Sequence, residues 1–372
     1  MLKLNIIMKI CLLGSNLTNL ILAYQISKKK LPIDIYCSAF PSVPNTSRTI
    51  AISSENFQYL NPKNTFKFKY WPCKAIKIYN DKNTNSEILN FANVKKDLFY
   101  LFYYSDLYKY FLSKIKKSKF INLKKKNMNN LKKQDISDLS NKYDLIINSE
   151  TKNKISKTFF FKKINKDYKS YAYTFLINHK PKENNLAIQV FTKYGPLAFL
   201  PLSTNKTSIV FSCEGSKKKD SEILSIFEKY NKFTEITKIN KVESFNLKFS
   251  MLRNYYHNNF LAFGDLLHRI HPLAGQGFNM TIRDINLLNK IIDQKLRLGL
   301  QLDSLVCNEF QKESKHFNFI YGYGINAIYE FFKIDNETKN LISSSVFSIL
   351  NKSSQFKKIS KLISDKGIKG IY

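Results

Sequence analysis

Residues 263–284 read FGDLLHRIHPLAGQGFNMTIRD and form the most informative segment of the chain. Three of the chain's 11 glycines, Gly264, Gly275 and Gly277, lie in a window of 14 residues inside this segment. In a glycine-poor chain such a cluster marks backbone that must turn or leave room for a flat group. The apolar run before Gly264 predicts a strand ending at Asp265, and a helical pattern follows Gly277. A carboxylate beside a helix N-terminus suits an anionic cofactor, although a glycine-rich turn capped by Asp265 would give the same pattern.

The N-terminal residues predict a nucleotide-binding unit. Residues 8–13 predict a buried strand, residues 17–28 a helix and residues 33–36 a second strand. A strand, a tight turn, a helix and a strand within about 30 residues form the βαβ unit of a dinucleotide-binding sheet.

The glycine fingerprint of that unit departs from GxGxxG. The motif would place glycines at positions 14, 16 and 19, where the chain has Gly14, Asn16 and Asn19. Asparagine tolerates positive φ better than other residues with a Cβ. Cys37 stands where an acidic residue for the ribose hydroxyls is expected.

The middle of the chain predicts a second layer. Apolar alternation between 167 and 213, with strands at 171–177, 186–191 and 208–211, predicts an antiparallel sheet. Residues 97–115 have helical spacing and predict a core helix, and 116–142 predict a solvated connection around a short strand. A buried strand is expected at 143–147, and mostly helix after Asn289.

Composition excludes several protein classes. Lys and Arg number 60 and Asp and Glu 28, which gives a net charge of +32. The lysines lie in scattered clusters without a nucleic-acid motif, so we expect no nucleic-acid partner. The five cysteines form no CxxC pair, which suits a reducing compartment and predicts no metal site. No apolar run is long enough to span a bilayer, and the N-terminal run lacks the length of a signal peptide.

The 263–284 stretch closely resembles the GD motif of the flavin-dependent aromatic hydroxylases related to para-hydroxybenzoate hydroxylase, in the branch that hydroxylates rings in ubiquinone biosynthesis. Residues 264–265, 268, 271–277, 279 and 283–284 match that branch's version of the motif. Residues 47–53 are similar to its RTIALS segment, and 195–202 to its GPLALLPL segment. The family's GADG motif corresponds to residues 148–151, where Glu150 keeps the carboxylate and the glycines are lost.

The resemblance implies a fold and a domain division. The expected fold class is α/β (α+β overall), with a Rossmann-like βαβ domain for FAD interleaved with an antiparallel-sheet substrate domain and followed by C-terminal helices. The expected FAD-binding domain comprises 1–65, 89–157 and 250–302, the substrate domain 66–88 and 158–249, and the helical region 303–372.

The resemblance also implies the site residues. Asp265 would hold the ribityl or pyrophosphate region of FAD and Arg48 its phosphates, whereas the start of the helix after Gly275 would face the flavin N1/C2 oxygen edge. The residues expected to bind the cofactor are Gly14, Asn16, Arg48, Gly264, Asp265, Pro272, Gly275, Gly277, Phe278 and Asn279. His271 and Pro272 are the candidate catalytic residues; for His271, a simple hydrogen-bonding role stays open.

The implied activity is hydroxylation of the ring of a polyprenylated phenol by a flavin C4a-hydroperoxide, with NAD(P)H as the electron donor and molecular oxygen as co-substrate. The bilayer-resident substrate implies a cytoplasmic protein, peripheral on the inner membrane face, and other proteins of the pathway as partners. The aromatic C-terminal residues, from Phe317 to Phe332, suit an anionic membrane surface or a helical core equally well. The alternative is a non-catalytic family member that acts as a scaffold in the pathway's assembly.

Overall fold

The structure is a computed structural model that describes residues 8–44, 46–81, 87–92 and 96–337. Its strands are β1 Ile10–Leu13, β2 Ile33–Cys37, β3 Thr49–Ser53, β4 Trp71–Cys73, β5 Ala75–Asn80, β6 Leu89–Ala92, β7 Phe99–Tyr103, β8 Ile121–Lys125, β9 Leu145–Asn148, β10 Lys163–His179, β11 Leu186–Thr192, β12 Gly195–Ser203, β13 Lys206–Glu214, β14 Ile236–Ile239, β15 Glu243–Leu252, β16 Tyr256–His257, β17 Phe260–Ala262 and β18 His268–Arg269. Its α-helices are α1 Leu17–Ser27, α2 Ser54–Leu60, α3 Tyr104–Lys116, α4 Lys133–Lys142, α5 Lys154–Phe159, α6 Asp220–Tyr230, α7 Gln276–Arg297 and α8 Ser304–Glu337.

The first sheet is the nucleotide-binding sheet that the N-terminal pattern predicts. Its six strands lie in the order β16-β17-β9-β1-β2-β8, and all neighbours are parallel except β16 and β17. All four residues of β1 are buried, as is usual for a parallel strand covered on both faces. Because β1 pairs with both β2 and β9, the carboxyl ends of these strands meet at one edge of the sheet.

The second sheet contains the predicted antiparallel layer, and its one parallel pair among the described strands is β11 with β5. Nine strands include the path β18-β15-β10-β13-β12-β11-β5-β6, with β14 paired to β10. One face packs on α6, where the Phe227 ring meets Phe175 and Phe199. The opposite face packs against Leu273 of the 263–284 stretch and against α8. The α/β fold class expected from the sequence is confirmed.

A small third sheet, in the order β3-β7-β4, lies between these two layers. Strand β3 packs against α7, because the Asn279 side chain hydrogen bonds with its backbone. The small sheet therefore links the residues around Arg48 to the start of α7.

Two secondary-structure expectations are wrong in the middle of the chain. Residues 97–115 are not one helix, because the aromatic run Phe99–Tyr103 pairs as β7 with β3 and only the rest forms α3. The aromatic side chains of this run favour a strand, and tertiary pairing outweighs the helical spacing. Residues 116–142 contain a helix, α4, besides the expected short strand β8; only Ile136 and Leu139 of α4 are buried, so its apolar pattern is faint.

The domain division stays a prediction, with one strand placed differently. Leu89–Ala92 pairs with β5 and so lies in the nine-stranded sheet, although the prediction grouped it with the nucleotide-binding part. The expected helical region is α8 as far as Glu337; the remainder of the prediction, 338–372, lies outside the described residues. Within the part of the chain that the structure describes, no helix is long and apolar enough to cross a membrane.

Candidate active site

The turn after β1 keeps the fingerprint geometry with only one glycine. Gly14 has a φ of 102°, and its amide donates to the Tyr36 carbonyl at 2.8 Å. The Asn16 side chain caps α1 by accepting from the Asn19 amide at 3.2 Å. The buried Asn19 side chain donates to the carbonyls of Leu13 and Gly14, both at 2.8 Å. The two asparagines therefore satisfy the turn's own backbone groups, which is how the chain accommodates them in place of glycines.

The Gly264–Asp265 turn lies against the start of α1. Gly264 has a φ of 58°, and a Cβ there would lie 3.1 Å from the Thr18 side chain. Both the conformation and this close approach require a glycine. Asp265, the next residue, is exposed, so its carboxylate is accessible beside the N-terminus of the helix.

Arg48 lies near the Gly264–Asp265 turn and the start of α1. Its exposed guanidinium lies 5.2 Å from the centre of the Tyr104 ring. Burial raises the pKa of the Tyr104 phenol, the Arg48 charge lowers it and the Asp265 carboxylate raises it. Both charged groups therefore act on the same aromatic ring. The structure brings together Gly14, Asn16, Arg48, Gly264 and Asp265, which lie far apart in the chain.

The loop from Pro272 to Gly275 forms a short 3-10 turn that leads directly into α7. Gly275 has a φ of 65°, and a Cβ at this position would lie 3.2 Å from the Ala51 side chain of β3. Gly277 and the half-buried Phe278 follow in the first turn of α7. Their backbone amides stand at a helix N-terminus, the arrangement that favours negative charge.

Asn279 holds this loop to β3 and is not free to contact a ligand with its side chain. Its Oδ1 accepts from the Ser53 amide and the Asn56 side chain, each at 2.9 Å. Its Nδ2 donates to the carbonyls of Ala51 at 2.9 Å and Gly275 at 3.1 Å. The prediction that Asn279 contributes to the flavin edge from the start of α7 stays a prediction; its side chain holds the loop to β3.

His271 is enclosed by aromatic rings. Its side chain is 1% exposed, and neither ring nitrogen has a hydrogen-bond partner among the described residues. The Tyr329 ring stacks on it with centroids 4.3 Å apart, and the Tyr168 ring meets it edge-on at 5.2 Å. Burial lowers the pKa of His271 to about 3, so its imidazole is neutral at physiological pH.

Helix α8 seals the loop through residues to which the sequence assigned no role. The Tyr321 hydroxyl donates to the Gln276 side chain, and the Arg283 guanidinium lies 4.1 Å from the Tyr321 ring centre. Asn318 donates to Asp284 at 3.1 Å, and Asp284 pairs with His268 at 2.7 Å. The matched motif residues Arg283 and Asp284 therefore contact the C-terminal helix, and His268 binds Asp284 from the other side. Their place in the matched motif was the only signal in the sequence that these residues have a role.

The inner face of the antiparallel sheet beside this loop is apolar. Leu273 and Met280 pack there with residues of the sheet and of α8, and Phe191 stacks on Phe332. An open cavity of about 510 Å³ lies elsewhere, beside Tyr143 and Tyr256. Within the described residues no group of three or more His, Cys, Asp or Glu side chains is placed to hold a metal ion.

Comparison with known proteins agrees with this geometry. Residues 215–298 match the family model of an FAD binding domain. The fold is shared with the crystal structures of p-nitrophenol 4-monooxygenase PnpA from Pseudomonas putida (TM-score 0.77, 9% identity, 96% of this chain and 97% of that one) and of PqsL, a probable FAD-dependent monooxygenase from Pseudomonas aeruginosa (TM-score 0.70, 14% identity, 88% and 97%). The chain thus shares its fold with FAD-dependent monooxygenases and contains a segment similar to an FAD binding domain, in agreement with the resemblance seen in the sequence.

Curated relatives belong to the ubiquinone branch of this class. The mitochondrial ubiquinone biosynthesis monooxygenase of Dictyostelium discoideum is 24% identical over 210 residues, covering 46% of this chain and 42% of that protein. The ubiquinone hydroxylase UbiL of Rhodospirillum rubrum is 26% identical over 36% of this chain and 33% of that protein. The 3-demethoxyubiquinol 3-hydroxylase of Escherichia coli is 28% identical, over 38% of each. The matches thus span about two fifths or less of these relatives.

Proposed function

We propose that the chain is an FAD-dependent monooxygenase that hydroxylates the aromatic ring of a polyprenylated phenol in ubiquinone biosynthesis. The observation that carries this proposal is the convergence of Arg48 and the Gly264–Asp265 turn at the start of α1. The names of the curated relatives support the substrate class. Bound FAD would supply the oxygen-activating chemistry, with NAD(P)H as electron donor and molecular oxygen as co-substrate.

The chain's own residues divide the binding task by chemistry. Asp265, exposed beside the helix, would accept hydrogen bonds from ribityl hydroxyls, and the Arg48 guanidinium would hold phosphate, for which its planar fork is suited. The amides of Gly277 and Phe278 at the start of α7 would stabilise negative charge on the flavin edge. Pro272, at the beginning of the loop, would contribute to the contact with the flavin ring.

His271 would act as a neutral hydrogen-bonding group. Since the pKa of its imidazole is lowered to about 3, it is not an imidazolium acid at physiological pH. A neutral imidazole donates through one nitrogen and accepts through the other. A phenolic hydroxyl that reached one ring nitrogen in the plane of the imidazole would satisfy that nitrogen and be oriented by it.

The surroundings of the loop suit an apolar substrate at a membrane surface. The cluster around Leu273, Phe191 and Phe332 offers the apolar contact that a polyprenyl tail needs. On α8, Ile320, Ile328 and Ile334 are each more than half exposed. With a net charge of +32, this face supports peripheral binding to the cytoplasmic side of an anionic membrane, where other proteins of the pathway would be neighbours.

The experiment is a product assay. The purified chain with FAD, NADH or NADPH and air is incubated with a short-chain polyprenyl phenol, and the mass of the product is measured. A gain of one oxygen atom, absent without reductant, supports the proposal. A flavin-loaded chain that oxidises NAD(P)H and leaves every such phenol unchanged would contradict the substrate class.

The second candidate is a scaffold without catalysis. The departures at the fingerprint turn, Asn16, Asn19 and Glu150, favour it, because they fill a site that a dinucleotide must enter. The 263–284 loop argues against it, since its strained glycines and its links to β3 have little purpose without a cofactor. Failure of the purified chain to retain any flavin would favour the scaffold.

A further inference from the structure

The fingerprint turn is filled by the chain's own side chains, and we infer that the FMN half of FAD carries nearly all of the binding affinity while the AMP half adds little. This inference rests on the proposed function, because it concerns how the same flavin is held. It assigns Glu150 as a residue that determines cofactor specificity. Three observations on three different elements support it.

The first observation is the contact between Glu150 and Gly14. A Cβ on Gly14 would lie 2.1 Å from Oε1 of Glu150, so the carboxyl group lies directly on the turn. Glycine at this position in the fingerprint serves the tight turn beside which a pyrophosphate passes. The GADG motif has the shorter aspartate at this position, whereas the longer Glu150 side chain reaches the turn, takes up space there and places its charge beside the path of the phosphate. None of the described residues donates a hydrogen bond to this carboxyl group.

The second observation is that the amides at the start of α1 already have partners. A helix N-terminus binds phosphate through its free backbone amides. Here the Asn19 amide donates to the side chain of Asn16, and the Leu17 amide faces the Tyr104 hydroxyl closely enough to lower the pKa of that phenol. A pyrophosphate would have to displace both groups.

The third observation concerns the end of β2, where the adenosine ribose would lie. Cys37 is buried and its thiol faces the Lys124 carbonyl at 3.7 Å. The nearest carboxylate on the strand, Asp34, is also buried and is bound by Lys124 at 2.7 Å and by the Tyr143 hydroxyl at 2.6 Å. No carboxylate of β2 is therefore free to accept from the ribose hydroxyls.

The residues that would hold the FMN half are accessible, unlike the turn after β1, the first amides of α1 and the carboxylate of β2. Asp265 and Arg48 are exposed, and the start of α7 follows a left-handed Gly275 without a side-chain cap. The chain thus keeps an open site for the ring, the ribityl chain and the first phosphate. Its own side chains occupy the turn beside the second phosphate, and β2 offers no free carboxylate for the adenosine ribose.

Titration of the flavin-free chain with FAD and FMN, followed by quenching of flavin fluorescence, tests the inference. We expect the two dissociation constants to agree within about threefold, a small difference on the affinity scale, and AMP to compete with neither flavin. FAD binding more than about thirtyfold tighter than FMN would overturn the inference while supporting the proposed function. Binding of neither flavin would overturn both.

Substitution of Glu150 gives the residue-specific test. Glu150→Gln removes the charge with almost the same shape, and we expect FAD to bind about tenfold tighter while FMN affinity stays as in the unchanged chain. Asp138→Asn, which removes an exposed carboxylate from α4, should leave both affinities unchanged. Equal tightening of FAD and FMN, or no tightening of either, would overturn the assignment of Glu150.

Discussion

The imidazole of His271 stacks on the ring of Tyr329, with centroids 4.3 Å apart and planes inclined by 23°. This contact joins the motif loop to the C-terminal helix across 58 positions of sequence. The Tyr329 ring contributes to the burial that lowers the pKa of the imidazole and keeps it neutral.

Tyr329→Ala should therefore return His271 towards ordinary titration. Removal of the ring admits water to the imidazole, so its pKa should rise from about 3 towards the ordinary 6.5, as measured by NMR titration of the histidine ring protons. Tyr329→Phe keeps the ring and serves as the matched control, with the low pKa retained. An unchanged pKa in the alanine variant would mean that α8 does not enclose this histidine.

Asn279→Ala should destabilise the chain without any flavin present. The change leaves the Ser53 amide and the carbonyls of Ala51 and Gly275 without the partners they have now. A buried group left unsatisfied costs about 1–3 kcal/mol, so we expect the free energy of unfolding to fall by about 2–4 kcal/mol in urea titration. Asn286→Ala, at a half-buried position on the same helix, should cost less than about 1 kcal/mol. Equal losses in the two variants would argue against the role of Asn279.

Asp265→Ala and Arg48→Ala should each weaken flavin binding by about tenfold or more, as expected for the loss of a charge-assisted hydrogen bond. Both side chains are exposed, so the unfolding temperature without flavin should stay the same. Arg253→Ala removes another exposed arginine and is the control. Unchanged flavin affinity in either variant would remove that residue from the site.

The nucleotide-binding sheet could be predicted from sequence because its strands are continuous apolar runs, as in Ile10–Leu13, and because Gly14 marks the turn after β1. The resemblance to the family's motifs predicted that Asp265 and Arg48 belong to one site. The contacts of Glu150 with Gly14, of Tyr104 with Leu17 and of Tyr329 with His271 could not be predicted, since no local pattern encodes which distant side chain fills a space. Strand β7 was missed for the same reason, because its pairing with β3 is non-local.

Glu150→Gln should stabilise the flavin-free chain at neutral and alkaline pH. Burial raises the pKa of Glu150 in the folded chain above its ordinary 4.5, so the folded state binds the proton more tightly than the unfolded state. Ionisation of Glu150 therefore costs stability, in full above the raised pKa and not at all below the ordinary one. We expect the unfolding temperature of the variant to exceed that of the unchanged chain at pH 8, and the gap to close as the pH falls towards 4.5. A gap that is the same at both pH values, or one matched by Asp138→Asn, would contradict this account.

The most direct test of a flavin site at the 263–284 loop is the visible absorption spectrum of the purified chain after addition of FAD and removal of the excess. Retained flavin bands that bleach with NADH or NADPH and return in air, and that are lost in Asp265→Ala, are the result expected of a working flavoenzyme. A folded chain that retains no flavin, or one whose bands survive the loss of Asp265 unchanged, would contradict the site described above.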